Sequence, residues 1–236
     1  SRIEGEVLAP RILRDEAYAG ARKTMARQCG EILASLHAVD PASLPKNLVQ
    51  MPVKPLIAYY RELLDGISEF YRDNTKVGRP EYHPAFELTF RWLEQNMPKN
   101  APLGMVHGDF RNGNFVVGPE GIRAVLDWEL GHVGDGMEDL GWLCVRAWRF
   151  GQHDKPVGGF GQREDLFAGY EDAGGRKVDP KVVHFWEVLG TLKWGIICMF
   201  QAYKHLSGLI DSFEHMAIGR RACENEIDLL KLIEEA

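Results

Sequence analysis

The stretch His107–Glu129, HGDFRNGNFVVGPEGIRAVLDWE, constrains the fold more than any other part of the chain. One short loop–strand–turn–strand unit carries an unusual density of polar side chains, several of which can bind a metal: His107, Asp109, Arg111, Asn114, Asp127 and Glu129. Short apolar runs flank these residues, so we expect the polar groups to lie against a hydrophobic core. The run Gly118-Pro119-Glu120-Gly121 is typical of a hairpin turn. The stretch therefore predicts a catalytic loop followed by a metal-binding β-hairpin.

Composition narrows the class of protein. With 236 residues, 45% of them hydrophobic, the chain can form one large core or one large lobe of a bigger fold. A net charge of −6 with scattered Lys and Arg gives no general basic field, which argues against nucleic acid as a partner. The cysteines lie far apart without CxxC spacing and are predicted to be reduced core residues of a cytoplasmic protein: Cys29, Cys144, Cys198 and Cys223.

Helical spacing dominates the rest of the chain and predicts a mostly α-helical α+β fold. Residues 1–14 are predicted to be an extended, hinge-like connector, because Gly5 and Pro10 interrupt any pattern there. The sequence Asp135-Gly136-Met137-Glu138 has the form of a helix capping box. The predicted helices cover about 15–38, 54–72, 84–97, 136–148, 163–173, 181–205 and 213–234, with the catalytic loop and hairpin at 103–129.

The segment Val182–Tyr203 is apolar enough to raise the question of a membrane span. Its polar or ionisable residues include His184, Glu187, Lys193 and Gln201. Such residues are costly inside a bilayer, so we predict a buried helix and no membrane partner.

Asp109 and Asn114 suit the division of labour that phosphoryl transfer requires. A carboxylate must meet the nucleophilic hydroxyl, and a cation must hold the phosphates whose charge develops in the transition state. Asp127, at the end of the next strand, offers a hard oxygen ligand for Mg²⁺, and Asn114 offers another. The hairpin would set the distance between these two ligands.

The pattern His107-x-Asp109, Asn114, Asp127, then Gly134-Asp135 and Asp139-Leu140, resembles the C-terminal lobe of aminoglycoside phosphotransferases and choline-kinase-like enzymes. These enzymes resemble protein kinases in fold. Two further stretches, LHAVDP at Leu36–Pro41 and WRFG at Trp148–Gly151, look like bacterial phosphotransferases associated with acyl-CoA dehydrogenases. The resemblance covers most of the chain, but its specific part is His107–Asp139.

The resemblance implies a role for each matching residue. Asp109 would be the catalytic base, Asn114 and Asp127 the Mg²⁺ ligands, His107 a residue that orients the loop, and Arg111 the group that neutralises the γ-phosphate. It also implies ATP or GTP as co-substrate and a small-molecule hydroxyl as acceptor.

Further correspondences concern the surroundings of these groups. Asp139 resembles the helix Asp that accepts hydrogen bonds from the catalytic loop, and Asp135 would support the site beside it. The sequence DWE at Asp127–Glu129 replaces the DFG of protein kinases, which argues against a protein substrate. Asn112 stands where an apolar residue is more usual.

Several of these residues also have a simpler structural interpretation. Asp127 could merely close a turn, and His107 could be a hydrogen-bonded core residue. Asp135 fits a helix N-cap better than a metal ligand. Glu129 could touch a second metal or only solvent. For these residues the sequence leaves both readings open.

Substrate recognition is less well defined. Trp142, Arg146 and Arg149 fall near one face of the helix after the site. They are either core and solvated helix ends or the lining of a substrate pocket. If they line a pocket, cation–π stacking or an anionic substrate group is implied. On the pocket reading, the candidate substrate-binding residues are Trp142, Arg146 and Glu129.

A complete kinase of this class also needs a lobe that covers the nucleotide. Residues 1–106 show neither a glycine-rich strand turn nor the pattern of a β-sheet, and Ser1–Glu6 resembles the hinge of the family. We therefore expect a fragment whose nucleotide lobe lies upstream in the full-length protein.

Three functions remain open from the sequence. The first is a small-molecule phosphotransferase dependent on Mg²⁺ and ATP or GTP. The second is a pseudokinase-like binding domain without catalysis. The third is a metal-dependent hydrolase that would use His107, Asp109, Asp127 and His132.

Overall fold

The computed structural model describes residues 2–74, 82–99 and 101–235. The chain divides into two compact units. One contains Ser1–Pro52 and Pro98–Glu187, and the other contains Val53–Met97 and Val188–Ala236. Within the described residues the strands are β1 (Leu103–Val106), β2 (Phe115–Gly118), β3 (Gly121–Val125) and β4 (His132–Asp135). The α-helices, in chain order, are α1 (Ala9–Arg14), α2 (Ala19–Arg22), α3 (Met25–His37), α4 (Val53–Asn74), α5 (Pro84–Gln95), α6 (Met137–Cys144), α7 (Arg163–Asp172), α8 (Pro180–Leu206), α9 (Phe213–Gly219) and α10 (Ala222–Glu234).

The predicted hairpin is present in the first unit. Strands β2 and β3 pair antiparallel, with Phe115 opposite Val125 and a register irregularity between Val116 and Val117. The N-terminal segment adds a bridge on the outer side of β2, where the N–H of Glu6 donates to the carbonyl of Val117 at 2.9 Å and receives the reciprocal bond. The hairpin that carries the candidate metal residues is therefore supported on both sides of β2.

A second two-stranded sheet was not predicted. Strand β1 pairs antiparallel with β4, so Leu103 lies opposite Asp135 and Val106 opposite His132. Met51 and Val49 extend this sheet through hydrogen bonds of 2.8 and 2.9 Å to Val133. Short strands whose partner lies about thirty residues away leave little local signal in a sequence.

Helices α3 and α7 pack closely against each other because a glycine on each helix leaves no side chain at their crossing. A Cβ on Gly30 would lie 2.3 Å from the carbonyl oxygen of Leu166, and one on Gly169 would lie 2.2 Å from that of Arg27. Both distances are impossible for a larger residue, so the backbones meet directly.

Several predicted helix boundaries differ from the structure. Residues 1–14 were expected to be extended, but α1 occupies Ala9–Arg14, because Pro10 lies in the first turn, where it favours a helix. The helix predicted at 15–38 is interrupted before Met25, where the hydroxyl of Thr24 donates to the carbonyl of Ala21 at 3.1 Å. These differences reflect single residues whose local bonding competes with a regular helix.

The helix predicted at 136–148 ends at Cys144 and continues as the 3₁₀ turn Arg146–Arg149. Arg149 closes that end, since its guanidinium donates to the carbonyl of Cys144 at 2.7 and 3.2 Å. The same guanidinium pairs with Glu187 at 2.8 Å, and Arg163 pairs with the other oxygen of Glu187 at 2.6 Å. A buried carboxylate shared by two arginines thus links α8 to this turn and to α7.

In the second unit, α4 and α5 are joined by an ion pair between Arg61 and Glu87. The His83 side chain, next to α5, bonds Glu226 of α10 at 2.8 Å. The helix predicted at 213–234 is split between α9 and α10, where Gly219 approaches α8 so closely that a Cβ there would lie 2.4 Å from that of Ala202. The contact with Ala202 requires a glycine at position 219, and glycine has a low helix propensity. The helix therefore breaks there, between α9 and α10.

Helix α8 is long and apolar enough to cross a membrane by length and composition, but 78% of its most apolar window is buried inside the protein. A largely buried helix of this kind is what the polar residues of the segment predicted. Of the four cysteines, Cys29, Cys144 and Cys198 are buried, whereas Cys223, also predicted to be in the core, is exposed.

Candidate active site

The carboxylate of Asp109 lies at the centre of a set of hydrogen bonds. Its Oδ1 accepts from Arg111 Nε at 3.0 Å and from Trp142 Nε1 at 2.9 Å. Its Oδ2 accepts from Asn114 Nδ2 at 2.6 Å. The side chain is 13% exposed, so part of it remains accessible to solvent. A carboxylate oxygen has about two lone pairs, so these donors leave acceptor capacity mainly on Oδ2.

Asn114 stands where the catalytic loop enters the hairpin. Its carbonyl accepts from the N–H of Leu126 at 2.8 Å, which extends the pairing of β2 and β3 by one residue. Its amide nitrogen also donates to the carbonyl of Asp109 at 2.9 Å. With the nitrogen bound to Asp109, the oxygen Oδ1 is the part of the amide suited to a metal.

Asp127 follows Leu126 directly and is therefore held at the same end of the hairpin as Asn114. Its side chain is exposed, and its backbone has φ 66° and ψ 62°. This left-handed conformation is unfavourable for most residues, although Asp and Asn adopt it more readily than others. The Asp127 carboxylate accepts no cap hydrogen bond from the turn Trp128–Leu130 that begins here.

His107 connects the loop to the hairpin. It is fully buried, and its Nε2 donates to the carbonyl of Leu126 at 3.0 Å while its Nδ1 accepts from the N–H of Asp109 at 3.1 Å. Its ring lies 4.5 Å from that of Trp128, centroid to centroid. Both ring nitrogens are therefore used to hold Asp109 next to the strand end that leads to Asp127.

Asp139 of α6 holds the backbone of the same loop. Its Oδ2 accepts from the N–H of His107 at 2.8 Å and its Oδ1 from the N–H of Gly108 at 2.9 Å. His37, at the end of α3, approaches Oδ2 at 3.3 Å through Nε2. Burial acts to raise the pKa of Asp139, but the hydrogen bond and charge of His37 and the loop N–H groups outweigh it and lower this pKa.

Arg111 extends across the site from the loop. Besides its bond to Asp109, its guanidinium carbon lies 4.4 Å from the ring centroid of Trp148. The ring of Trp148 in turn lies 5.1 Å from that of Trp142. The two aromatic rings thus form a wall behind the predicted base and the predicted phosphate-binding cation.

Asp135 lies near the site but takes part in a different network. Its buried carboxylate accepts from Met137 N at 3.1 Å, from Trp186 Nε1 at 3.1 Å and from Arg176. Asp135 thus caps the first N–H of α6 with its side chain, as the sequence predicted, although the helix itself is assigned from Met137 with Gly136 before it. The other half of the predicted capping box differs, because the Glu138 carboxylate is turned to His132 at 3.2 Å. The network fixes the start of α6, the helix that carries Asp139.

The residues predicted to bind substrate lie in different surroundings. Trp142 is only 2% exposed and contacts Asp109, so its ring faces the catalytic loop. Arg146 is half-buried at the start of the turn after α6, and Glu129 is exposed on the turn Trp128–Leu130. The side chains that donate hydrogen bonds to the Asp109 carboxylate are those of Arg111, Asn114 and Trp142, so within the described residues Arg146 and Glu129 lie outside this set.

Sequence reasoning missed two residues that support the loop. His37 lies in the LHAVDP stretch, whose resemblance to a family was noted without a role for its histidine. Asn112 is fully buried, and its Nδ2 donates to the carbonyl of Gly158 at 2.7 Å, which ties the loop to the glycine-rich turn. A polar residue at an apolar position was the available signal for Asn112.

The hydrolase alternative needs His107, Asp109, Asp127 and His132 to share a metal. Nδ1 of His132 bonds the carbonyl of Leu130 at 2.9 Å and its Nε2 faces Glu138. Within residues 2–74, 82–99 and 101–235, His, Cys, Asp and Glu form no group of three or more that could hold a metal. The structure therefore does not assemble that ligand set.

The mostly helical fold, with a loop Asp bonded to an Asn five residues later and an Asp at the end of the following hairpin, matches the arrangement that the resemblance to phosphotransferases predicted. The comparisons with known proteins agree with this class. The family model described as "Phosphotransferase enzyme family" matches residues 1–176. The chain belongs to this family of phosphotransferases.

Solved structures share the fold. An aminoglycoside-phosphotransferase-like protein from Ralstonia eutropha is 22% identical with a TM-score of 0.68, and the match covers 100% of this chain and 72% of that one. A choline/ethanolamine kinase family protein from Mesorhizobium loti is 21% identical with a TM-score of 0.58, covering 99% and 67%.

Among curated proteins, "Probable acyl-CoA dehydrogenase IBR3" from Arabidopsis thaliana is 31% identical over 130 residues, which are 52% of this chain and 15% of that protein. Mouse "Acyl-CoA dehydrogenase family member 11" is 31% identical over 142 residues, or 57% and 17%. The matched parts thus span less than a fifth of the length of these relatives.

Proposed function

We propose that this chain transfers the γ-phosphate of ATP or GTP to a hydroxyl group of a small molecule. The observation that carries the proposal is the Asp109 carboxylate, with Oδ1 occupied by Arg111 and Trp142 and with acceptor capacity left on Oδ2. A carboxylate held in this way can orient a hydroxyl and accept its proton during phosphoryl transfer.

The residues of the hairpin fit a Mg²⁺ ion. Mg²⁺ prefers hard oxygen ligands and usually takes one or two from the protein, with water and phosphate oxygens completing its shell. Asn114 would offer Oδ1, since its nitrogen is bonded to Asp109, and Asp127 would offer its exposed carboxylate. When bound, the ion would neutralise charge on the phosphates. Arg111 would add a second positive charge near the transferred group.

The acceptor is proposed to be a small molecule because the kinase-like relatives of known fold include a choline/ethanolamine kinase family protein and an aminoglycoside-phosphotransferase-like protein. Because the curated relatives are named as acyl-CoA dehydrogenases, we propose hydroxyacyl-CoA thioesters as a third class of acceptor to test. We also propose that a nucleotide lobe upstream in the full-length protein completes the site, and that the protein acts in the cytoplasm.

The test is nucleotide turnover by the protein expressed from its complete reading frame. ATP and GTP consumption is measured with Mg²⁺ against aminoglycosides, choline, amino alcohols and hydroxyacyl-CoA thioesters. With the acceptor found in this way, Asp109→Asn is expected to lower kcat by roughly 10²- to 10⁴-fold, the usual contribution of a general base. Exposed Asp154, changed to Asn, is the matched control and should retain full activity.

Two outcomes would contradict the proposal. Wild-type turnover in a folded Asp109→Asn variant would remove the base from the mechanism. Binding of nucleotide without transfer to any acceptor class would instead favour a pseudokinase-like binding domain.

A further inference from the structure

We infer that Trp142 is a positioning residue that fixes the orientation of the Asp109 carboxylate for phosphoryl transfer, an inference that rests on the proposed function. The indole N–H of Trp142 donates to Asp109 Oδ1 at 2.9 Å, and the side chain is 2% exposed. A buried indole N–H normally has a hydrogen-bond partner, and here that partner is the predicted base.

The bond matters because the terminal torsion of an Asp side chain is broad and its carboxylate rotates easily. Two donors on Oδ1 and one on Oδ2 remove that freedom. The three donors differ: Arg111 is charged, Asn114 lies at the end of the loop, and Trp142 is neutral and buried in α6. Trp142 can therefore hold Oδ1 whether the Arg111 guanidinium contacts the carboxylate or a phosphate group.

The position of Trp142 in the chain supports this role. Trp142 lies three residues after Asp139 on α6, and residues three apart share one face of a helix. Asp139 accepts hydrogen bonds from the loop backbone, and Trp142 donates to the side chain of its central residue. One face of α6 thus fixes both the path of the catalytic loop and the direction of its carboxylate.

The wall behind the site adds a constraint on Trp142 itself. Its ring packs at 5.1 Å against that of Trp148, over which the Arg111 guanidinium lies. Because the indole is fixed by this packing, its N–H cannot follow a carboxylate that turns away.

The first experiment compares Trp142→Phe with Trp92→Phe in the full-length protein. Trp92 is a half-buried tryptophan in the unit that holds none of the site residues, so the chemical change is matched. Trp142→Phe is expected to lower kcat by about 10- to 100-fold, as for the loss of a hydrogen bond to a charged group, with the KM values for nucleotide and acceptor nearly unchanged. Trp92→Phe should leave kcat unchanged. A rise in either KM with kcat unchanged in Trp142→Phe would overturn the inference.

A double-mutant cycle separates positioning from a general effect on folding. In the Asp109→Asn background, Trp142→Phe is expected to cause no further loss, because its effect passes through the carboxylate. An equal loss in both backgrounds would show that Trp142 acts independently of Asp109 and would overturn the inference.

An NMR measurement tests the contact without an activity assay. It remains informative if Trp142→Phe does not fold or if no phosphate acceptor is found. The indole ¹H–¹⁵N resonance of Trp142 is followed by NMR in the wild type and in Asp109→Asn. A clear shift of that resonance is expected when the charged acceptor is lost, with the resonance of Trp92 unmoved. An unmoved Trp142 resonance would refute the contact whatever the enzyme assay shows. Loss of activity in Asp109→Asn alongside full activity in Trp142→Phe would refute this inference while leaving the proposed function intact.

Discussion

The carboxylate of Asp139 accepts a hydrogen bond from the backbone N–H of His107 at 2.8 Å, so a residue of α6 fixes the first residue of the catalytic loop. The same carboxylate accepts the N–H of Gly108 at 2.9 Å. Gly108 has φ +79°, and a Cβ there would lie 2.5 Å from the carbonyl oxygen of Leu130. The loop therefore turns in a conformation that glycine permits and that Asp139 stabilises.

Replacing Asp139 by Asn should destabilise the protein by about 2–3 kcal/mol, since a buried charged acceptor is lost and an N–H group then faces the loop donors. Urea denaturation would measure the change in free energy of unfolding, with exposed Asp154→Asn as control.

The lowered pKa of Asp139 also determines how its contribution to stability depends on pH. In the wild type, its contribution is present above the unfolded-state pKa of about 4 and is lost as the pH falls through the lower folded-state pKa. The difference between wild type and Asp139→Asn should therefore narrow below about pH 4. A difference that stays constant over that range would be inconsistent with this account.

Substitutions of Asp127 should separate its backbone role from its carboxylate. Because φ is +66°, Asp127→Ala is expected to cost about 1–2 kcal/mol in free energy of unfolding, whereas Asp127→Gly and Asp127→Asn should remain within about 0.5 kcal/mol of the wild type. All three should need more Mg²⁺ for half-maximal nucleotide turnover, because each removes the proposed anionic ligand. Thermal denaturation measures the stability changes, and Mg²⁺ titrations of nucleotide turnover measure the Mg²⁺ requirement. An Asp127→Asn variant with an unchanged Mg²⁺ requirement would exclude the carboxylate from the metal site.

His132 should make stability depend on pH in the opposite direction. Burial acts to lower its pKa, but the hydrogen bond and charge of Glu138 and the Leu130 carbonyl raise it. Its contribution is then fully present below the unfolded-state pKa of about 6.5 and is lost as the pH rises through the higher folded-state pKa. We expect the stability difference between wild type and His132→Asn to shrink between about pH 6 and pH 9. Urea denaturation at both ends of that range, with exposed His153→Asn as control, provides the measurement. A difference that grows with pH would mean that His132 is neutral when paired.

Local features of the sequence predicted much of this protein. The turn at Gly118–Gly121 predicted the hairpin, and the structure pairs β2 with β3 there. The five-residue interval between Asp109 and Asn114 predicted that they act together, and their side chains bond at 2.6 Å. Whether they carry the predicted chemistry stays a prediction. Features of this kind lie within one turn, loop or hairpin, so neighbouring residues suffice to specify them.

The supports of the site were decided by tertiary structure. His37 reaches Asp139 across 102 residues, Asn112 reaches Gly158 across 46, and Trp142 reaches Asp109 across 33. Apolar periodicity predicts that one face of a helix is buried, but it does not say which element covers that face. Trp142 could therefore be placed on the buried or pocket-lining face of its helix from the sequence. Only the packing of α6 behind the catalytic loop determined that its indole N–H meets the carboxylate of Asp109.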